Sequence, residues 1–175
     1  MISIDAIVYK SNMGHTKRYA EMLSDILEVP AVTTRHAFTK LPKRSNIIFM
    51  GWVRGRDYMG YNAFIKKHQI KAACVVGAVE TGDILLEYVR KKNKINYEIP
   101  LFYLRGGYNK EKTKGADRQM AQALIENLAK KKRKYEGTGK QFPVYEAELL
   151  ETLIYGGDFV ESTRLCEIIS WCNEL

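Results

Sequence analysis

The stretch Lys10-Ser11-Asn12-Met13-Gly14-His15-Thr16 joins a short apolar run (Ile2, Ile4, Ala6, Ile7, Val8, Tyr9) to an amphipathic segment that begins at Thr16. A phosphate at such a junction meets unpaired backbone N–H groups at the positive end of the following helix. The Ser11 and Thr16 hydroxyls and the Asn12 amide add donors, and Gly14 lets the backbone come close. The same residues suit an ordinary strand-to-helix turn capped by Ser or Thr. Both readings stand on the loop alone. A dinucleotide loop needs Gly-x-Gly-x-x-Gly and a triphosphate loop needs Gly-x-x-x-x-Gly-Lys followed by Ser or Thr, and this turn has neither. A receiver domain needs clustered acids at the first strand, where Asp5 is the acid nearest the loop.

Three further loops carry chemistry-bearing residues. Gly51-Trp52-Val53-Arg54-Gly55-Arg56-Asp57-Tyr58 combines a large aromatic with two guanidinium groups. Gly77-Ala78-Val79-Glu80-Thr81-Gly82-Asp83 is rich in small residues, and Thr81 or Asp83 can equally cap a helix. Arg105-Gly106-Gly107-Tyr108 brings a cation, a flexible turn and an aromatic ring, although the glycine pair also serves simply to shape a turn. His36 and His68 are expected at the surface and His15 beside the first loop. No metal-ligand spacing emerges, and no Ser or Cys has a recognisable base nearby in sequence.

The elements that must position these loops alternate. The first apolar run is a buried strand, followed by a helix with Tyr19, Ala20, Met22, Leu23, Ile26 and Leu27 on one side, which Pro30 closes. Strands are then predicted over 31–34, 46–50, 72–79 and 99–104, with helices over 63–68, 84–92 and 116–132, and at most a short helix before Ser45. This pattern implies an α/β fold, a doubly wound five-stranded parallel sheet in the order 2-1-3-4-5. Such sheets bind ligands beyond the carboxyl ends of their strands, where the strand order reverses. Gly137 and Gly139 interrupt the last helix, and residues 135–175 form a C-terminal acidic helical extension, expected to pack on the same domain as residues 1–134.

The 175 residues, 46% hydrophobic and 27% charged, suffice for one compact domain and exclude disorder. The longest apolar runs, 45–53 and 72–79, fall well short of the roughly 20 residues that span a bilayer. The start lacks a signal peptide's layout, so a cytoplasmic protein without a membrane span is expected. Cys74, Cys166 and Cys172 are expected as reduced thiols, largely in the core. The net charge of +8 hides an asymmetry: residues 141–175 hold seven acids and only Arg164 as a base. An acidic tail folded against a basic body accounts for this, as does a tail reaching a second copy, so a homo-oligomer stays open. The run Lys130-Lys131-Lys132-Arg133-Lys134 complements the negative end of a helix. Neither stacking aromatics nor a helix-turn-helix pattern accompanies it, which argues against nucleic acid.

The first loop resembles that of the flavodoxin family, Ser/Thr-x-Thr-Gly-x-Thr after strand one, with Ser11, Gly14 and Thr16 matching and Met13 and His15 departing. The similarity covers residues 1–134. Leu104-Arg105-Gly106-Gly107 is similar to the subgroup that includes menaquinone-dependent protoporphyrinogen oxidase. The resemblance implies FMN as cofactor, its phosphate held by Ser11, Asn12, Met13, Gly14, His15 and Thr16. It implies a ring beside Trp52, Val53, Arg54 and Gly55, with Gly77, Ala78, Val79, Glu80, Thr81, Gly82, Arg105 and Gly106 along the same rim. Electron transfer or flavin-dependent oxidoreduction follows, with a redox partner protein or a quinone-like small molecule as partner. Arg54, Arg56 and Arg105 near the ring would favour a negatively charged reduced flavin. The alternative is a flavodoxin-fold binding or scaffold module without functional flavin.

Overall fold

The computed structural model describes residues 3–55, 57–80 and 83–174. Its elements in chain order are β1 (Ala6–Lys10), α1 (His15–Leu27), β2 (Ala31–Thr33), α2 (Thr34–Lys40), β3 (Asn46–Arg54), β4 (Asp57–Tyr58), α3 (Tyr61–Phe64), β5 (Gln69–Gly77) and α4 (Asp83–Asn93). They continue with β6 (Leu101–Arg105), β7 (Gly107–Tyr108), α5 (Gly115–Thr138), α6 (Val144–Tyr155), β8 (Gly157–Asp158), a 3-10 turn over Ser162–Leu165 and α7 (Cys166–Asn173). Five parallel strands form one sheet in the order β2-β1-β3-β5-β6. This is the doubly wound, flavodoxin-like arrangement expected from the alternation of strand and helix. The strand count differs slightly. The chain reverses after Arg54, and β4 pairs antiparallel with the end of β3, while β7 and β8 form a separate two-stranded ribbon.

Alternation along the strands builds two cores. In β1, Ile7 and Tyr9 join Tyr19, Ala20 and Leu23 of α1 on one face, whereas Val8 joins Ala37, Phe49, Tyr61 and Phe64 on the other. Leu165 and Ile168 complete the α1 side, so α7 covers the sheet there beside α1. Burying apolar side chains at about 25 cal/mol per Å² makes these two layers the main source of stability. Helix α5, predicted over 116–132, runs on through Gly137 to Thr138 and packs mainly against α6. Tyr108, Leu128, Leu150 and Leu153 form a third, separate cluster, with Met13, Ile125 and Phe142 at its edge. The segment 109–156 is therefore a helical insert between β7 and β8, which form its neck.

Two expectations are corrected. His68 is buried and stacks on Phe64, because the chain turns back there to enter β5. Among the cysteines, Cys74 is buried, Cys172 partly so and Cys166 exposed, since α7 turns Cys166 away from the sheet. No helix among the described residues is long and apolar enough to cross a membrane.

Candidate functional site at the carboxyl rim of the sheet

Strand β1 parts from its neighbours at Lys10, and the chain crosses to α1 through a turn in which the Gly14 N–H donates to Ser11 Oγ at 3.2 Å. Gly14 is the N-cap of α1 with φ 104°, a left-handed conformation that favours glycine, and no side chain caps the helix. The first turn of a helix has no intrahelical acceptors for its N–H groups, so α1 offers donors and a positive dipole end at this point. Thr16 is buried beneath the turn. Lys112, which the sequence reading did not single out, brings its Nζ to 3.9 Å from where a Cβ on Gly14 would lie.

Met13 does a different job from a phosphate-binding hydroxyl. Its sulfur accepts from the Asn109 N–H at 3.2 Å and from the Thr113 hydroxyl at 3.5 Å, which docks the 109–113 turn against the loop. Asn12 Nδ2 donates to Asp117 Oδ2 at 3.0 Å, near the start of α5. His15 is half-buried, 4.0 Å from Asp158 through Nε2, and burial holds its imidazole below the ordinary range, with Arg18 and Lys112 acting in the same direction and Asp158 opposing. Gly106 lies against it. A Cβ there would approach Val76 to 2.7 Å and His15 to 2.9 Å, so this contact admits glycine alone.

On β3, Trp52 and Arg54 belong to the extended strand instead of the loop expected for them. The Arg54 guanidinium lies over the Trp52 ring at 5.3 Å and forms an ion pair of 2.7 Å with Asp117. Trp52 Nε1 is buried without an acceptor. Val53 pairs with Tyr58 and packs toward the opposite core, while Gly55 turns the hairpin with φ 62°. Arg56 lies outside the described residues.

The remaining loops are held by the C-terminal half of the chain. Gly77 accepts from the Gly106 N–H at 2.7 Å, and the Tyr103 hydroxyl donates to the Val79 carbonyl. Ala78 is half-buried beside the buried Val79. The Glu80 N–H donates to Glu148 at 3.3 Å, and its carboxylate pairs with Arg164 at 2.9 Å. Arg105 is bonded to Glu148 and stacks 3.5 Å from the Phe159 ring. Thr81 and Gly82 lie outside the described residues.

The fold thus brings the first-loop residues, Trp52 and Arg54 to one rim, together with Lys112, Asp117 and Glu148 from the insert. At the phosphate end the residues present fit a phosphate monoester: helix N–H donors, an ammonium and no Cβ on Gly14. At the aromatic end Trp52 offers an unsatisfied N–H, but one approach to its ring carries Arg54. Both arginines of the described rim are matched by carboxylates, which offsets the basic character expected there. A groove of about 570 Å³ along α5, lined by Gly115, Arg118, Gln119, Gln122, Ala123 and Glu126, shares none of these residues. The acid excess of residues 141–175 was an advance signal for Glu148 but not for Asp117, which lies in the basic part of the chain. No protein family, curated protein or solved structure matches the chain.

Proposed function

We propose that the chain is an FMN-binding, flavodoxin-like protein that acts in electron transfer or flavin-dependent oxidoreduction in the cytoplasm, with a redox protein or a quinone-like molecule as partner. The observation that carries this reading is the uncapped start of α1 at Gly14, facing the Lys112 ammonium where the sheet order reverses beside Trp52. Lys112 and the α1 N–H groups would hold the phosphate, and Trp52 would cover the ring. A bound flavin supplies one- or two-electron transfer that no side chain of this chain provides. Asp117 and Glu148 moderate the positive charge of Arg54 and Arg105, so the rim arginines do not act on the ring as free cations.

A second reading, a binding or scaffold module without functional flavin, draws on the engagement of Asn12, Arg54, Glu80 and Arg105 by the insert and tail. Titration of the purified protein with FMN, followed by visible absorption and tryptophan fluorescence, separates the two. Saturable 1:1 binding is expected. Replacement of Lys112 by Ala should weaken FMN about tenfold and leave riboflavin unaffected, the size expected for a charge-assisted phosphate contact. Absence of any spectral change at millimolar FMN would refute the flavin reading.

A further inference from the structure

The insert 109–156 supplies most of an apolar cluster separate from the sheet cores, to which Tyr108 of β7 and Met13 of the first loop also contribute, and it joins the sheet through the short β7–β8 ribbon. Gly107 (φ 125°) is the first residue of this neck and Gly156 (φ 81°) immediately precedes its second strand, both in backbone regions that favour glycine, and Gly107 has no room for a Cβ against the Gly157 carbonyl. Away from the neck, the polar contacts described between insert and rim fall on residues of the candidate site. Asp117 takes Asn12 and Arg54, and Glu148 takes Arg105 and the Glu80 N–H. Met13 adds a sulfur-centred contact.

Consequently, in the closed arrangement Arg54 lies on the Trp52 ring where a flavin would stack, and Asp117 holds it there. Cofactor entry on that side requires Arg54 to leave, which breaks the Asp117 pair. The latches are few and polar, whereas the apolar contacts of the insert are mostly internal. A unit with that distribution of contacts can separate from its base at less cost than it can unfold.

We propose that residues 109–156 form a hinged cover, latched by Asp117 and Glu148, which swings about the glycine neck to admit and release the cofactor at the rim. The proposal regulates the site described above and rests on the flavin reading for the identity of what it admits. No new residue chemistry is required: opening exposes the two ion pairs, the Asn12 and Glu80 hydrogen bonds and the Met13 contacts to solvent, and closing over an empty rim restores them.

The test is the rate of FMN association and dissociation by stopped-flow fluorescence in four forms of the full chain: unmodified, a double variant, and a cysteine variant oxidised and reduced. The double variant Asp117→Asn, Glu148→Gln should raise both rate constants about fivefold, as expected when two partly exposed ion pairs are lost. A second variant, Asn12→Cys with Asp117→Cys in a Cys166→Ser background, closes the latch covalently on oxidation. Its oxidised form should exchange FMN about tenfold more slowly than the same protein after reduction. Equal rates in all four forms would overturn the cover. If none of them binds FMN, the flavin reading fails, and amide hydrogen exchange then decides the cover separately. Faster exchange of the β7–β8 neck and the rim loops in the double variant, with the sheet unchanged, supports it; unchanged exchange at the neck overturns it.

Discussion

His15 illustrates how one side chain reports on the rim. Burial is the largest influence on its imidazole and pushes it below its ordinary value of 6.5, with Asp158 pulling the other way. The folded chain therefore takes up this proton less readily than the unfolded chain. Its contribution to stability is complete above pH 6.5, declines as pH falls through that value, and levels off below the depressed folded value. An NMR titration should place His15 below 6.5 in the free protein and shift it upward when FMN is added, because a phosphate dianion beside α1 favours the charged ring. A free-protein value above 6.5 would contradict the packing of His15 against Gly106. Met13 shows a different lesson. It departs from the loop pattern, yet its sulfur accepts from the Asn109 N–H and lies against the Thr113 hydroxyl, in a segment about a hundred residues away.

Among the elements, β4 has a role out of proportion to its two residues. Tyr58 is buried, and its hydroxyl lies 3.0 Å from the Phe49 carbonyl and 2.7 Å from the Cys74 carbonyl, tying the hairpin to the two central strands. Burial and the neighbouring Cys74 and Tyr61 push the phenol well above its ordinary range, so it remains a neutral donor. Removing the hydroxyl with Tyr58→Phe leaves both carbonyls without it and should cost about 1–2 kcal/mol in urea unfolding. A loss below about 0.5 kcal/mol would show that the clasp contributes little. The hairpin itself was not legible. Gly51-Trp52-Val53-Arg54 reads as loop by composition, and only pairing with β5 and β4 makes it strand. The short α3 was equally hard to bound: the apolar pattern suggested 63–68, whereas the helix covers Tyr61–Phe64 because Gly60, at φ 92°, starts it.

At the scale of the whole molecule, the chain divides by packing and not at the boundary where its composition changes. Glu148 and Asp158 pair with Arg105 and Arg18, while Glu146 pairs with Lys131 within the insert. The acid-rich end therefore serves both the insert and the sheet. Because the cluster around Leu128 and Leu150 is separate from the two sheet cores, α5 and α6 should exchange amide hydrogens faster than β1, β3 and β5 in the unmodified protein. Uniform protection across all five would show that the insert and sheet open as one unit.

The alternating sheet order and the first loop were legible because their signals are local. Apolar runs of strand length, a helical period after Thr16 and a glycine at the junction each act within a few residues. What lies over that loop was decided only in three dimensions. The contacts Asn12 to Asp117, Arg54 to Asp117 and Arg105 to Glu148 join residues that no periodicity relates. Likewise, α7 and not α5 lies beside α1, since Leu165 and Ile168 fill the core there while α5 buries only Leu128. Helical pattern records that a face is apolar; which surface that face meets depends on where the chain has already folded.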